Sequence, residues 1–258
     1  MMPVLELTQA SSADALRRVA SLATVPSHLA AWAYEAFGPD EELAAAAVMD
    51  PGRLDEARRS LSYVRKHGNT HVVPYWQEVI AQRTRLLKLR PRRPRPPKDS
   101  SQWILDRLEL ERDEQASSQA VVETAARTGD GVAIVVVSTE RDPVALADQL
   151  LLAVGMFPIG GGWRPVTTDE AGADLSFALT RDLAYRSQRN PARAPAGAAE
   201  AAGETLLVEL APHARLVNGS PLGKSSRGST PVSRSTFDWA LGVHGPERAA
   251  VVVVTGED

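Results

Sequence analysis

Residues 83–98, RTRLLKLRPRRPRPPK, constrain this chain more than any other stretch. They hold eight basic side chains, no acidic one and four prolines. Each proline removes a backbone donor, fixes its own φ and pushes the preceding residue out of the helical region. A helix therefore cannot run through 89–97, and the segment is expected to be extended, in the manner of polyproline II. The chain on either side follows different patterns. The reading is a helical domain over 1–90, a basic proline-rich linker over 91–99 and a mixed α/β domain over 100–258. The expected fold class is α+β: an N-terminal helical bundle, the linker, then a mixed α/β domain with a sheet of about four or five strands and a C-terminal hairpin.

The first 90 residues carry helical periodicity throughout. Leu16, Val19, Ala20 and Ala23 form one stripe, and Leu29, Trp32, Ala33 and Phe37 form the next, stopped by Gly38. Asp40 opens an Ala-rich helix that runs to Met49. Asp50-Pro51 opens a fourth helix, with Leu54, Ala57, Leu61 and Val64 inward. Pro74 opens a fifth, in which Trp76, Val79, Ile80 and Leu87 are the expected inward residues.

LRRVASLATVPSHLAAWAY (16–34) resembles the helix-turn-helix of lac-repressor-like regulators, whose first helix commonly reads L-x-x-V-A-x-L-A-x-V. The resemblance implies a DNA-reading helix over SHLAAWAYEAF. The chain departs from the pattern at two points: Thr24 stands at the usual turn glycine, and that helix has no Arg, Lys, Asn or Gln to read base edges. Its residues read as core, so a packed helix pair is expected here.

Beyond the linker, Asp99-Ser100-Ser101 is expected to cap a helix containing Trp103, Ile104 and Leu108. Its outer face is read as acidic, with Asp106, Glu109, Glu111, Asp113 and Glu114 as counterions for the linker arginines. A helix over about 117–128 stops at Gly129. Residues 132–137, with five β-branched side chains, read as a strand buried on both faces. Asp142-Pro143 opens a helix with Leu146, Leu150, Leu151 and Val154 inward. FPIGGGWRP (157–165) is a loop, with its glycines read as a flexible rim beside Trp163. Thr167-x-x-Glu170 is a capping box for a helix through about Tyr185. Residues 188–203 read as a weak connector with some helix. A short strand is expected over 215–217, and a hairpin over 236–243 and 249–255, turning at His244-Gly245-Pro246-Glu247.

Charge is unevenly placed. Residues 1–98 hold 15 basic and 10 acidic side chains, and 99–258 hold 14 and 22. The candidate contacts for a polyanion or a partner are therefore Arg83, Arg85, Lys88, Arg90, Arg92, Arg93, Arg95 and Lys98. Lys224, Arg227 and Arg234 join them from a loop with eight hydroxyl residues and no acid between 220 and 236. No aromatic side chain interleaves between Arg90 and Lys98, so stacking on bases is not expected of this arm.

Several chemistries are excluded or unsupported. There is no cysteine, hence no disulfide, thiolate metal site or Cys nucleophile. Gly160-Gly161-Gly162 follows a helix, the wrong order for a dinucleotide loop. GSPLGKS (219–225) is one residue short of a Walker A, with Asn218 in place of the first glycine and no apolar helix after it. The histidines are scattered and no HExxH or G-x-S-x-G is present. No cofactor and no metal are expected. MMPVLELTQASS lacks the features of a secretory signal, and no apolar run is long enough for a membrane helix. The arginine-rich, lysine-poor composition points to a high-GC bacterial genome, and a cytoplasmic location is expected.

These observations lead to a non-catalytic protein-binding or regulatory module, with another protein or a second copy as partner. The alternative is non-specific nucleic-acid or polyanion association through 83–98. A third reading is an enzyme whose site forms only in three dimensions, near loops 157–167 and 219–235.

Overall fold

The computed structural model describes residues 10–92, 94–137, 141–183, 196–220, 222 and 228–256. Five helices come first: α1 (Ala10–Ala23), α2 (Ser27–Phe37), α3 (Glu41–Val48), α4 (Gly52–Lys66) and α5 (Val73–Leu89). Asp40 caps α3 by accepting from Leu43 N at 2.9 Å. Asp50 holds Gly52 N at 2.9 Å at the start of α4. Such caps satisfy backbone donors that no helix can satisfy for itself.

The segment that resembles a helix-turn-helix is a packed pair. Ala30, Ala31, Trp32, Ala33 and Glu35 of α2 are buried, so most of this helix is spent on packing within the chain. Thr24 sits in the left-handed region, φ 58, at the turn where glycine was the expected residue.

Beyond the linker come α6 (Ser100–Leu108), β1 (Glu111–Arg112), α7 (Ala116–Arg127), β2 (Gly131–Val137), α8 (Pro143–Ala153) and β3 (Arg164–Pro165). They are followed by α9 (Thr168–Thr180), α10 (Ala196–Glu204), β4 (Ala214–Val217), β5 (Phe237–His244) and β6 (Arg248–Gly256). Thr205–Glu209 continues α10 as a π-helical turn, at a place where the sequence allowed either strand or helix.

Among the described residues the fold is α+β, with one six-stranded sheet in the order β1-β2-β6-β5-β4-β3. Every pairing is antiparallel, and the C-terminal hairpin pairs Phe237 with Gly256 through to His244 with Ala249. The sheet thus gains two-residue strands at both edges. The strand–helix unit β2–α8 leads into no parallel strand.

Helices cover both faces of the sheet. Ile134, Val136, Ala249, Val251 and Val253 pack toward α8 and α6. Ala133, Val135, Ala250, Val252 and Val254 pack toward α7, α9 and α10. This double burial is the reason β2 and β6 are continuous apolar runs rather than alternating ones. Each buried Val or Leu contributes roughly 1.5–3 kcal/mol of transfer free energy. At Gly242 of β5 an added Cβ would meet the Ala147 Cβ of α8 at 3.0 Å, so the helix lies close on the sheet there.

Three expectations are corrected. The helix read through to about Tyr185 ends at Thr180, where Arg181 is extended. The helix read through to residue 114 ends at Leu108, where Glu109 turns left-handed at φ 55. Leu110 is buried, and Glu111 and Arg112 pair with Val137 and Val136 as an edge strand. Asp113 turns inward to an ion pair with Arg248 at 2.8 Å. The five carboxylates therefore never form one face. The glycine loop is also pinned: Asp148 accepts from Ile159 N, Gly160 N and Trp163 Nε1 at 2.8–2.9 Å. Gly162 lies so close to Thr230 that a Cβ would meet its side chain at 2.6 Å.

The helical layer is tied to the sheet layer by polar contacts. Ser27 N donates to Gly155 O at 3.2 Å and Ser27 Oγ to Met156 O. Arg17 donates to Pro158 O at 3.0 Å. His28 Nδ1 lies 2.6 Å from Ser100 Oγ, and burial lowers the imidazole pKa against a smaller opposing effect of Asp99. Buried Glu35 pairs with Arg107.

Candidate docking surface

The basic stretch divides in three dimensions. Its first two members are occupied. Arg83 donates to Arg53 O and, at 3.5 Å, to Thr24 Oγ1, fastening α5 to α4 and to the α1–α2 turn. Arg85 pairs with Glu42. The remaining described members, Lys88, Arg90, Arg92, Arg95 and Lys98, are exposed. Among the described residues none of these five makes an ion pair. Arg93 lies outside the described residues, as do Lys224 and Arg227. Arg234 is exposed, yet its guanidinium sits 5.9 Å from the Phe157 ring centroid and donates to Val25 O at 3.4 Å. Arg17 stands over the same ring at 5.5 Å.

The arm has this geometry because helix ends where proline begins. Arg90 is already extended, φ −50 and ψ 115, and the described residues of 90–99 join no helix or strand. Proline-rich chain rises about 3.1 Å per residue with its backbone solvated. Cations along it are spread out rather than gathered on one helix face.

The arm passes an open groove of about 960 Å³ between α2 and α6, lined by Trp32, Tyr34, Glu35, Pro94, Trp103 and Arg107. The Arg107 guanidinium stands over Trp103, 5.9 Å from its centroid. Glu35 Oε1 takes the Arg107 bond, and the buried Oε2 has no hydrogen-bond donor among the described residues. The groove offers aromatic surface and, among the described residues, one unused acceptor.

The loops 157–167 and 219–235 do meet at the sheet edge. Phe157 N donates to Val232 O at 2.7 Å, and Arg164 Nε to Gly219 O at 2.9 Å. A cavity of about 190 Å³ lies beside them, among Leu183, Asn218, Ser220, Phe237 and Trp239. The carboxylates of this region hold backbone. Asp238 accepts from Val232 N, Ser233 N, Ser233 Oγ and Asn218 Nδ2. Asp174 accepts from Leu222 N at 2.9 Å, and burial raises its pKa. Burial likewise raises that of Asp148, against the three bonds that it accepts.

The sequence reading missed Glu35, Asp148 and the meeting of His213 with His244, whose ring centroids are 4.8 Å apart. The carboxylates did leave a signal. Each is a lone acid in an otherwise apolar helix, AWAYEAF and ALADQLLLA, where a charge is stable only with a partner. The histidine pair follows from strand register, which no local pattern shows.

Among the described residues no group of three His, Asp or Glu side chains is placed to hold a metal ion, and no helix is long and apolar enough to cross a membrane. No family model, no curated protein and no solved structure matches this chain.

Proposed function

We propose that the chain is a non-catalytic protein-binding module of the bacterial cytoplasm that engages an acidic partner through the arm over 88–98. One observation carries this reading. Lys88, Arg90, Arg92, Arg95 and Lys98 are exposed without an ion pair among the described residues, while Arg83 and Arg85 nearby are engaged. Unpaired surface cations hold a strong field and raise the encounter rate with an acidic surface.

The same cations favour a second reading, weak and sequence-tolerant association with nucleic acid, since phosphate contacts need only positive charge and release counterions. One experiment separates the two. The intact protein and a variant with all five residues changed to Ser are titrated against polyglutamate, single-stranded DNA and duplex DNA over a range of salt. Salt-sensitive binding of polyglutamate that the variant loses supports the protein-binding reading. Tighter binding of DNA, lost in the same variant, replaces it with the second. Equal binding of every probe by both proteins removes the arm from either.

A further inference from the structure

We infer that the α4–α5 hairpin is a docking face for an acidic amphipathic helix of a partner protein, seated on Tyr63, Trp76, Val79 and Ile80. The inference rests on the protein-binding reading above and adds a second surface and the chemistry of its occupant.

Two helices alone cannot enclose their apolar stripes, and this pair has little else to lean on. Arg83 beside Arg53, and Trp76 beside Val64, show that α4 and α5 run antiparallel. α4 packs chiefly against α5 and the Thr70–Val72 turn, while α5 reaches the helical layer through α3. The buried residues are only Leu54, Ala57 and Val64 on α4 and Leu86 on α5. Trp76, Val79, Ile80 and Leu87, spaced for one face, stay half-buried.

What remains uncovered is aromatic. Tyr63 and Tyr75 are each 62% exposed. Tyr63 stacks on His67 at 4.0 Å and Tyr75 meets Trp76 edge-on at 5.1 Å. Arg59, Ser60, Tyr63, Val64 and Trp76 line an open groove of about 480 Å³. The helices have 15 and 17 residues, so the face is about 25 Å long, room for roughly five turns of a third helix. A cleft between two helices takes such a guest by apolar anchors at i, i+3, i+4 and i+7. Exposed aromatic surface of this density marks an interaction site.

Charge selects the guest. Residues 52–89 hold eight basic and three acidic side chains, a net of +5. Two of the acids, Asp55 and Glu56, are taken by Arg58 and Arg53 at 3.2 and 2.9 Å. Arg59, Arg65 and Lys66 are exposed and unpaired among the described residues. A second copy docking through the same hairpin would bring +5 against +5, whereas an acidic helix is attracted along the whole face.

The test uses the full chain and two helical peptides of about 20 residues with leucines at the anchor spacing, one with glutamate and one with lysine elsewhere. Calorimetry is expected to show the glutamate peptide binding at least tenfold more tightly than the lysine peptide. Y63S/W76A is expected to weaken the glutamate peptide at least tenfold while cooperative melting and the native circular dichroism are retained, and the five-Ser arm variant to retain most of its affinity. Equal affinity for both peptides, or no binding of the glutamate peptide, overturns the inference. If the arm variant loses the peptide while Y63S/W76A keeps it, the hairpin face is wrong and the arm reading stands. A dimer in sedimentation that W76A dissociates assigns the face to a second copy and also overturns the inference.

Discussion

The hairpin α4–α5 and the strand pair β5–β6 are both two-element units, and they treat apolar side chains in opposite ways. In β6 every residue from 249 to 254 is buried, because helices close both faces of the sheet. In the 17 residues of α5 only Leu86 is buried. One unit is finished within the chain, and the other is left with aromatic surface and a positive field. Surface of that kind costs the folded monomer little to alter, and it is where a partner has most to gain.

The contrast predicts a ranking that mutation can break. Leu151→Ala, in the helix beneath the sheet, is expected to destabilise by about 2–5 kcal/mol, and Val79→Ala on the hairpin by under about 1 kcal/mol. Urea midpoints at unchanged slope read the difference. Equal costs would mean that the hairpin is as firmly packed as the sheet. Next in size is Asp148→Ala, which strips the acceptor from three donors, including the buried Trp163 indole. A loss of about 3 kcal/mol is expected, with Asn less costly because it retains one acceptor oxygen. A loss near zero would show the glycine loop to be held by Thr230 packing alone.

The smallest effect concerns the joint between the layers. Burial lowers the His28 pKa, so the folded state holds the ring neutral where the unfolded chain, near 6.5, begins to take a proton. The stability from this site is complete above that value and is lost as pH falls toward the folded pKa. The melting temperature should therefore drop from about pH 7.5 to about pH 5.5, and His28→Gln should drop less over that span. Parallel curves for the two proteins would show that His28 does not couple the layers to pH.

How much was legible in advance follows from the range of each interaction. Caps are local, so Asp40, Asp99, Asp142 and the Thr167–Glu170 capping box stood where the pattern put them. The end of α6 was not legible. Asp106, Glu109 and Asp113 recur at helical spacing, and it is the edge pairing with β2 that draws the chain off the helix. The stripe on α5 was read as inward because periodicity reports which side chains share a face, not whether anything lies against it.

The basic proline-rich stretch shows where that line falls. Proline chemistry and the count of like charges, both properties of adjacent residues, by themselves determined that α5 stops near Leu89 and that an extended cationic segment follows. Only the tertiary structure decided which cations are spent. Arg83 and Arg85 find a carbonyl and a carboxylate 30 and 43 residues away, while Lys88, Arg90, Arg92, Arg95 and Lys98 find no carboxylate among the described residues. Such pairings depend on distances that form only once the helices have packed.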